Sequence, residues 1–269
     1  MLDRSPHLVL DRSVRCVCLS LRTPPERSCG GGLLCLYVLQ PAGRAPLGGA
    51  VAVAELARAA LQSNRGRLTA GSWSPTLSGH TATGVRTDQH RHLHCFTLPK
   101  AKEGAPALLG FWAPEGFDRL DLAAALSLRE LRGGPAGPIQ LGRPAPPLVR
   151  LALRSLVGPA QLWESVTPFA PPRYPKRRGD VTREAVADQV RRELAHRNGR
   201  LADLLFSVSE LPLAGFRSFP IHRKSQLDQG GPPRPRARLQ LRFTEPVYGP
   251  LALGFNCHFG VGLFRSGPT

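Results

Sequence analysis

From Leu162 to Phe264 the sequence sets short strand-like runs around one segment of helical period, and that order admits few antiparallel folds. Leu162 to Phe169, Leu204 to Leu211, Arg238 to Phe243 and Cys257 to Phe264 read as strands. Asp180 to His196 reads as a helix, with Val186, Val190 and Leu194 on one stripe and Asn198-Gly199 at its end. Between the second and third strands lies a polar, Pro- and Gly-rich insert, Arg217 to Arg238, carrying six Arg and Lys against one acid. The last two strands are separated by a Gly-rich loop. The order β-α-β-insert-β-loop-β predicts a ferredoxin-like unit whose second helix is replaced by loop.

The preceding half carries a similar grammar. Val14 to Leu21 and Leu33 to Leu39 are strand candidates, with turns at Pro24-Pro25 and Gly30-Gly31-Gly32. Val53, Leu56, Ala57, Ala60 and Leu61 fall at i, i+3, i+4, i+7 and i+8, one face of a helix. A loop holding Ser78-Gly79-His80 follows. His90 to Leu98 then reads as a strand, and Leu108 to Trp112 as its hairpin partner. Asp118 to Arg132 reads as a helix capped by Asp118 and stopped by Gly133-Gly134, and Ile139 to Leu141 as a closing strand. The expected fold is α+β, two ferredoxin-like (RRM-like) units in tandem. Residues 1–50 form a poorly legible leading segment, 51–145 the first unit with its histidine motifs, and 146–269 the second unit with the basic segments and the C-terminal Gly-rich loop.

Charge narrows the function. Across 269 residues, 36 Lys and Arg face 19 Asp and Glu, a net +17. Clustered positive charge gains affinity for a polyanion by releasing phosphate counterions, so nucleic acid is the first partner to expect. No apolar run approaches the roughly 18 to 20 residues that span a bilayer, and the start lacks the order of a signal peptide, so a soluble, cytoplasmic protein is expected. Cys16, Cys18, Cys29, Cys35, Cys95 and Cys257 are scattered without a Cys-x-x-Cys pair. Neither a zinc ribbon nor a disulfide framework is indicated, and reduced cysteines are expected.

Four blocks, taken in order, resemble one family. The first is Ser78-Gly79-His80 with Gly84, then His90-Arg91-His92-Leu93-His94-Cys95-Phe96-Thr97-Leu98-Pro99. The second is Trp112-Ala113-Pro114-Glu115-Gly116-Phe117. The third is Trp163-Glu164-Ser165-Val166-Thr167-Pro168-Phe169 running into Pro171-Pro172-Arg173-Tyr174-Pro175-Lys176-Arg177-Arg178-Gly179. The fourth is Glu245-Pro246-Val247-Tyr248-Gly249-Pro250-Leu251-Ala252-Leu253-Gly254 with His258-Phe259-Gly260-Val261-Gly262-Leu263-Phe264. Over about residues 50 to 265 these are similar to the C-terminal, Cas-six-like half of the fused Cas-five/Cas-six protein of type I-U (I-G) CRISPR loci, a member of the RAMP superfamily. The resemblance implies tandem ferredoxin-like units, binding of CRISPR repeat RNA, metal-independent cleavage that needs no cofactor, and other effector subunits as partners. It departs at Thr81 and Thr83, where the family leads one to expect acids, and at Gln89, where a Gly is expected.

The residues supply a matching chemistry. Side chains alternate along a strand, so His90, His92 and His94 project from one side. An imidazole works as base or acid near neutral pH, and cutting RNA without metal takes a proton from a 2′-hydroxyl and returns one to the leaving 5′-oxygen. The products are a 2′,3′-cyclic phosphate and a 5′-hydroxyl. His80, after the first helix, stands where the superfamily often carries a catalytic histidine, and His92 and His94 are the other candidates. For RNA binding the candidates are Arg173, Tyr174, Lys176, Arg177 and Arg178, a Pro-stiffened run of charge with an aromatic. Gly249, Gly254, His258, Gly260 and Gly262 join them, because glycines let backbone N–H groups approach phosphates and the superfamily uses such a loop. The insert 217–238 reads as a phosphate-tracking arm. Two other classes stay open: a noncatalytic RNA-binding subunit, and a zinc-dependent hydrolase using the three strand histidines, although the nearest carboxylate to that block is Asp88.

Overall fold

Strand-forming runs with few breakers build the first sheet. In the computed structural model, Val17–Ser20 (β1) pairs with Leu33–Pro41 (β2). Ala50–Leu68 (α1) and a single turn at Pro75–Ser78 (α2) lead to the hairpin His94–Pro99 (β3) and Pro106–Ala113 (β4). Arg119–Leu126 (α3), Glu130–Leu131 (β5) and Ile139–Gly142 (β6) complete the unit. The structure describes residues 15–21, 23–24, 27–28, 32–41, 49–68, 73–85, 91–99, 106–134, 137–173, 186–197, 201, 203–213, 216, 219–223, 226 and 234–267. Its strands run β3-β4-β2-β6-β5, with β1 paired to β2. Without β1 and β5 this is the β-α-β-β-α-β ferredoxin-like arrangement. Its opening strand is β2, so the first unit begins inside the segment 1–50 that the sequence left apart.

Pro146–Val157 (α4) joins the two sheets, a helix missing from the sequence expectation although Pro146 and Pro147 suit its first turn. The second sheet is formed by Ala160–Ser165 (β7), Phe206–Leu211 (β8), Arg238–Val247 (β9) and Phe264–Ser266 (β10), in the order β10-β7-β9-β8. Val186–Arg197 (α5) connects β7 to β8. The order of the four strands matches that of the first unit, and the stretch between β9 and β10 is irregular where a ferredoxin-like unit has its second helix. Cys257–Phe259, expected within a strand, is a 3-10 turn. Asp118 does cap α3, accepting from the N–H groups of Leu120 and Asp121, but the helix ends at Ser127 rather than Arg132 because β5 turns back to pair with β6.

Alternation along β2 explains how the first sheet is covered on both faces. Leu34 and Leu36 join the core shared with α4, α5 and the second sheet. Cys35, Tyr37 and Leu39 join the core under α1 and α3. A strand buried on both sides reads as a continuous apolar run. Cys18 and Cys35, opposite one another on β1 and β2, form a disulfide, which corrects the expectation that all cysteines are reduced; strand pairing brings together two residues 17 apart. Among the described residues no helix is long and apolar enough to cross a membrane.

Candidate nucleic-acid interface and cleavage site

His80 is set in place by a chain of local devices. Ser74 precedes Pro75 at the start of α2, and its Oγ accepts from Leu77 N–H at 3.1 Å. The same hydroxyl donates to Asp121 Oδ2 on α3 at 3.0 Å, and Asp121 in turn pairs with buried Arg65 of α1. Gly79 then ends α2 in the left-handed conformation, φ 75°, with its N–H on Pro75 O. A side chain there is doubly disfavoured, because its Cβ would meet the His92 ring at 2.8 Å. The turn delivers His80 with Nδ1 3.1 Å from Ser78 O. A carbonyl only accepts, so Nδ1 carries the proton and Nε2 of the neutral ring keeps its lone pair. Arg58 of α1 donates Nη2 to the same carbonyl at 2.6 Å, which ties a guanidinium to the histidine turn.

His92 and His94 do lie on one side, but His92 precedes the strand and a third imidazole from the other unit enters between them. Ring centroids of His92 and His258 are 3.6 Å apart, of His94 and His258 4.0 Å, and of His92 and His94 6.5 Å. Two hydrogen bonds cross the unit boundary reciprocally: His258 Nδ1 donates to Leu93 O at 3.2 Å and His94 Nδ1 to Cys257 O at 3.4 Å. His94, 1% exposed, lies against Trp112 and does not line the cleft. His258, expected to contact RNA, is the middle member of the stack and also lines the cleft.

His80, His92 and His258 face an open cleft of about 690 Å³, lined by α1, the His80 turn, His92 and the segment Gly254 to Phe259. That segment is fastened from behind by α5. Glu193 Oε2 accepts from Gly254 N–H at 2.8 Å and pairs with Arg197 at 2.9 Å, and Arg197 donates Nη2 to Cys257 Sγ at 3.1 Å. Both side chains of the ion pair are buried. Burial pushes the Cys257 thiol up to about 11, and likewise Cys95 on β3 to about 12, so neither is a nucleophile near neutral pH.

Within the basic insert, the described arginines Arg223 and Arg234 lie over aromatic rings. Arg223 lies 4.8 Å from the Phe259 centroid and Arg234 3.9 Å from that of Phe255, while Arg234 also donates to the carbonyls of Pro171 and Pro172. Of the basic run after Pro172, Arg173 is exposed beside the cleft; Tyr174, Lys176, Arg177 and Arg178, like His90, lie outside the described residues.

The glycine loop does not offer its amides to a phosphate. Gly249 N–H donates to Val157 O at 2.8 Å, Gly260 N–H to Cys257 O at 3.2 Å and Gly262 N–H to Pro168 O at 2.9 Å, while Gly254 N–H is held by Glu193. All four glycines are buried. At Gly262, φ 63°, a Cβ would come within 1.9 Å of Leu253 O. Glycine is needed here for chain crossing, a role that spacing alone does not separate from phosphate approach.

For zinc, ligand nitrogens must converge on one point at about 2.0–2.1 Å. His92 and His258 instead stack face to face with His94 tilted against His258, two of the three with Nδ1 engaged by carbonyls, and among the described residues no group of His, Cys, Asp and Glu is arranged to hold a metal. With this geometry in place, comparisons with known proteins add little. No family model and no curated protein match the sequence. A solved structure described as "An RAMP protein binding different RNA substrates" is similar over 86% of this chain and 98% of that one, with 10% identity and a TM-score of 0.44.

Sequence reasoning missed Arg58, Arg223, Phe259 and the Glu193–Arg197 pair. Arg58 had a signal: with Val51, Ala54, Leu61 and Arg65 it falls on the buried stripe of α1, and a charge on such a stripe marks either a paired cation or a site. The contacts of Arg223 depend on a fold-back of the insert that no periodicity encodes.

Proposed function

We propose that this chain binds CRISPR repeat RNA and cleaves it without a metal, as a RAMP-type processing endoribonuclease working with other effector subunits. The observation carrying this reading is Ser78 O, which holds His80 and Arg58 together at a cleft also lined by His92 and His258. His80, through Nε2, takes the proton from the 2′-hydroxyl. The 2′-oxygen then attacks phosphorus, the bond to the 5′-oxygen breaks, and an imidazolium of the stack returns a proton to that leaving oxygen. The products are a 2′,3′-cyclic phosphate and a 5′-hydroxyl. Two adjoining charged rings about 4 Å apart repel by about 4 kcal/mol at an effective dielectric of 20, so the stack favours one proton at a time. His92 meets the cleft, whereas buried His94 supports the stack.

Purified protein with labelled repeat RNA in EDTA is expected to cut, and to stop when the scissile nucleotide carries 2′-deoxyribose. His80→Ala is expected to slow cleavage by about 100-fold or more, with affinity within a few-fold. Loss of cleavage in EDTA with recovery on adding zinc would reject the metal-free route. Binding without any cutting would favour a noncatalytic RNA-binding subunit, a reading supported by Thr81 and Thr83, whose hydroxyls pair at 2.9 Å where the family resemblance leads one to expect acids.

A further inference from the structure

Arg58 is 9% exposed, yet it lines the cleft, and among the described residues no carboxylate forms an ion pair with it or with Arg223. Both guanidiniums stack on one aromatic ring, with Arg58 Cζ 5.3 Å and Arg223 Cζ 4.8 Å from the Phe259 centroid. Nη2 of Arg58 is used by Ser78 O, and Nε of Arg223 is buried without a hydrogen-bond partner among the described residues. A buried cation is costly unless an anion or a set of acceptors faces it. A second cation nearby adds to that cost: burial first, and then Arg223 among neighbouring charges, lowers the proton affinity of Arg58. Glu55 lines the same cleft, and among the ion pairs of the described residues none joins it to Arg58 or Arg223.

We propose that Arg58 and Arg223, stacked on Phe259, form a binding site for one phosphate oxyanion beside His80. The inference rests on the RNA reading for its natural ligand, a phosphodiester of the bound strand, but not for the chemistry of the site. A guanidinium is always charged and presents its donors in a planar fork that matches phosphate oxygens. An anion between the two would relieve their mutual repulsion. The position of Arg223 is built in: Asn256, in the left-handed conformation at φ 56°, donates Nδ2 to Ile221 O at 2.8 Å and to Gln226 Oε1 at 2.7 Å, and Arg223 N–H donates to that same Gln226 oxygen at 3.0 Å. Arg58 is fixed by its bond to Ser78 O. The carbonyl shared with His80 then sets the bound phosphate next to the histidine assigned to the 2′-hydroxyl.

Inorganic phosphate is the probe. Calorimetric titration of the full chain is expected to show one phosphate site, weakened about tenfold or more in Arg223→Met and in Arg58→Met, the loss expected for one charge-assisted hydrogen-bonding partner. Methionine keeps the aliphatic packing on Phe259, and an unchanged thermal midpoint identifies folded variants. Arg223→Lys serves if Arg58→Met does not fold, and is expected to retain partial binding. With repeat RNA, each Met variant should lower the slope of log affinity against log salt by about 0.7 to 0.9, one phosphate contact. Arg150→Met, on α4 away from the cleft, should leave phosphate binding unchanged. Absence of phosphate binding in the wild type, or equal binding by wild type and Arg223→Met, overturns the site. Phosphate binding lost on substitution in a protein that ignores RNA would keep the site and reject the RNA reading.

Discussion

Glu193→Leu tests whether α5 holds the cleft together. The substitution removes a buried carboxylate that meets Arg197 at 2.9 Å and the Gly254 amide at 2.8 Å. Breaking a buried pair from one side typically costs about 3–5 kcal/mol, because the surviving charge stays in low dielectric. An unsatisfied buried N–H is worth about 1–3 kcal/mol by itself, part of which is already inside that figure. Against a total stability of about 5–15 kcal/mol, a loss near 4 kcal/mol removes a large fraction and leaves the chain folded only under mild conditions. Urea denaturation is the assay, with the slope checked for constancy between variants. Amide exchange at Gly254 is a local readout and should accelerate. The companion Glu193→Leu/Arg197→Met variant removes both charges and is expected to recover much of the loss, since apolar replacement of a whole buried pair is often near neutral. A single-variant loss below about 1 kcal/mol, or a double-variant loss equal to the sum of the single ones, would refute the assigned role.

Gly262→Ala should cost at least about 2 kcal/mol in chemical denaturation, from left-handed backbone and a clash with Leu253 O, whereas Gly66→Ala within α1, with open space around its Cβ, should add about 0.5–1 kcal/mol. Cys95 and Cys257, with thiols raised to about 12 and about 11, should resist alkylation in the native protein near neutral pH; mass spectrometry finding them labelled as fast as in urea would contradict this. The hydrogen bond from Arg65 holds Asp118 below the usual carboxylate range, so its contribution is present above that range and is lost as pH falls through the lowered value. Burial pushes neighbouring Asp121 the other way, so Asp118→Asn, which keeps a good helix cap, should lose less stability on acidification than the wild type; an equal or steeper acid loss would count against it.

The second unit was legible because its signals are local. The stripe Val186, Val190, Leu194 and the period-two runs at 206–211 and 238–243 each follow from their own spacing, and their order alone implies a sheet lacking one crossover helix. In the first unit the two strands before α1 stood out as candidates, but their membership of that unit did not. β2 is buried on both faces, so Leu33 to Leu39 lacks alternation and looks like any apolar run. α4 was hidden because its start lies within a Pro-rich stretch that reads as a linker, although proline is at home in a helix's first turn. In the site, the histidines at 80, 92 and 94 could be picked out, but not the insertion of His258 between two of them, since that contact joins residues more than 160 apart.

The missing crossover helix explains what kind of cleft this is. A helix between β9 and β10 would engage its own backbone and present a regular face. The irregular stretch 248–263 engages its backbone too, through Gly249, Gly254, Gly260 and Gly262, but Gly249 and Gly254 pass so close to Leu156 and Ala170, and Gly262 to Leu253 of the same stretch, that those three positions exclude a side chain. Gly260 lets the loop approach the first unit, where an added Cβ would come within 3.2 Å of the Phe96 backbone. With its glycine amides engaged, the loop has side chains to offer the cleft, among them Phe255, Asn256, His258 and Phe259. On the RNA reading, the polyanion meets the imidazole of His258 on this loop and the guanidiniums of Arg58 and Arg223 beside it rather than a nest of N–H groups. That difference is measurable in salt dependence, because neutralising a phosphate with a fixed cation changes the slope of log affinity against log salt, whereas a neutral amide donor contributes affinity with little change in slope.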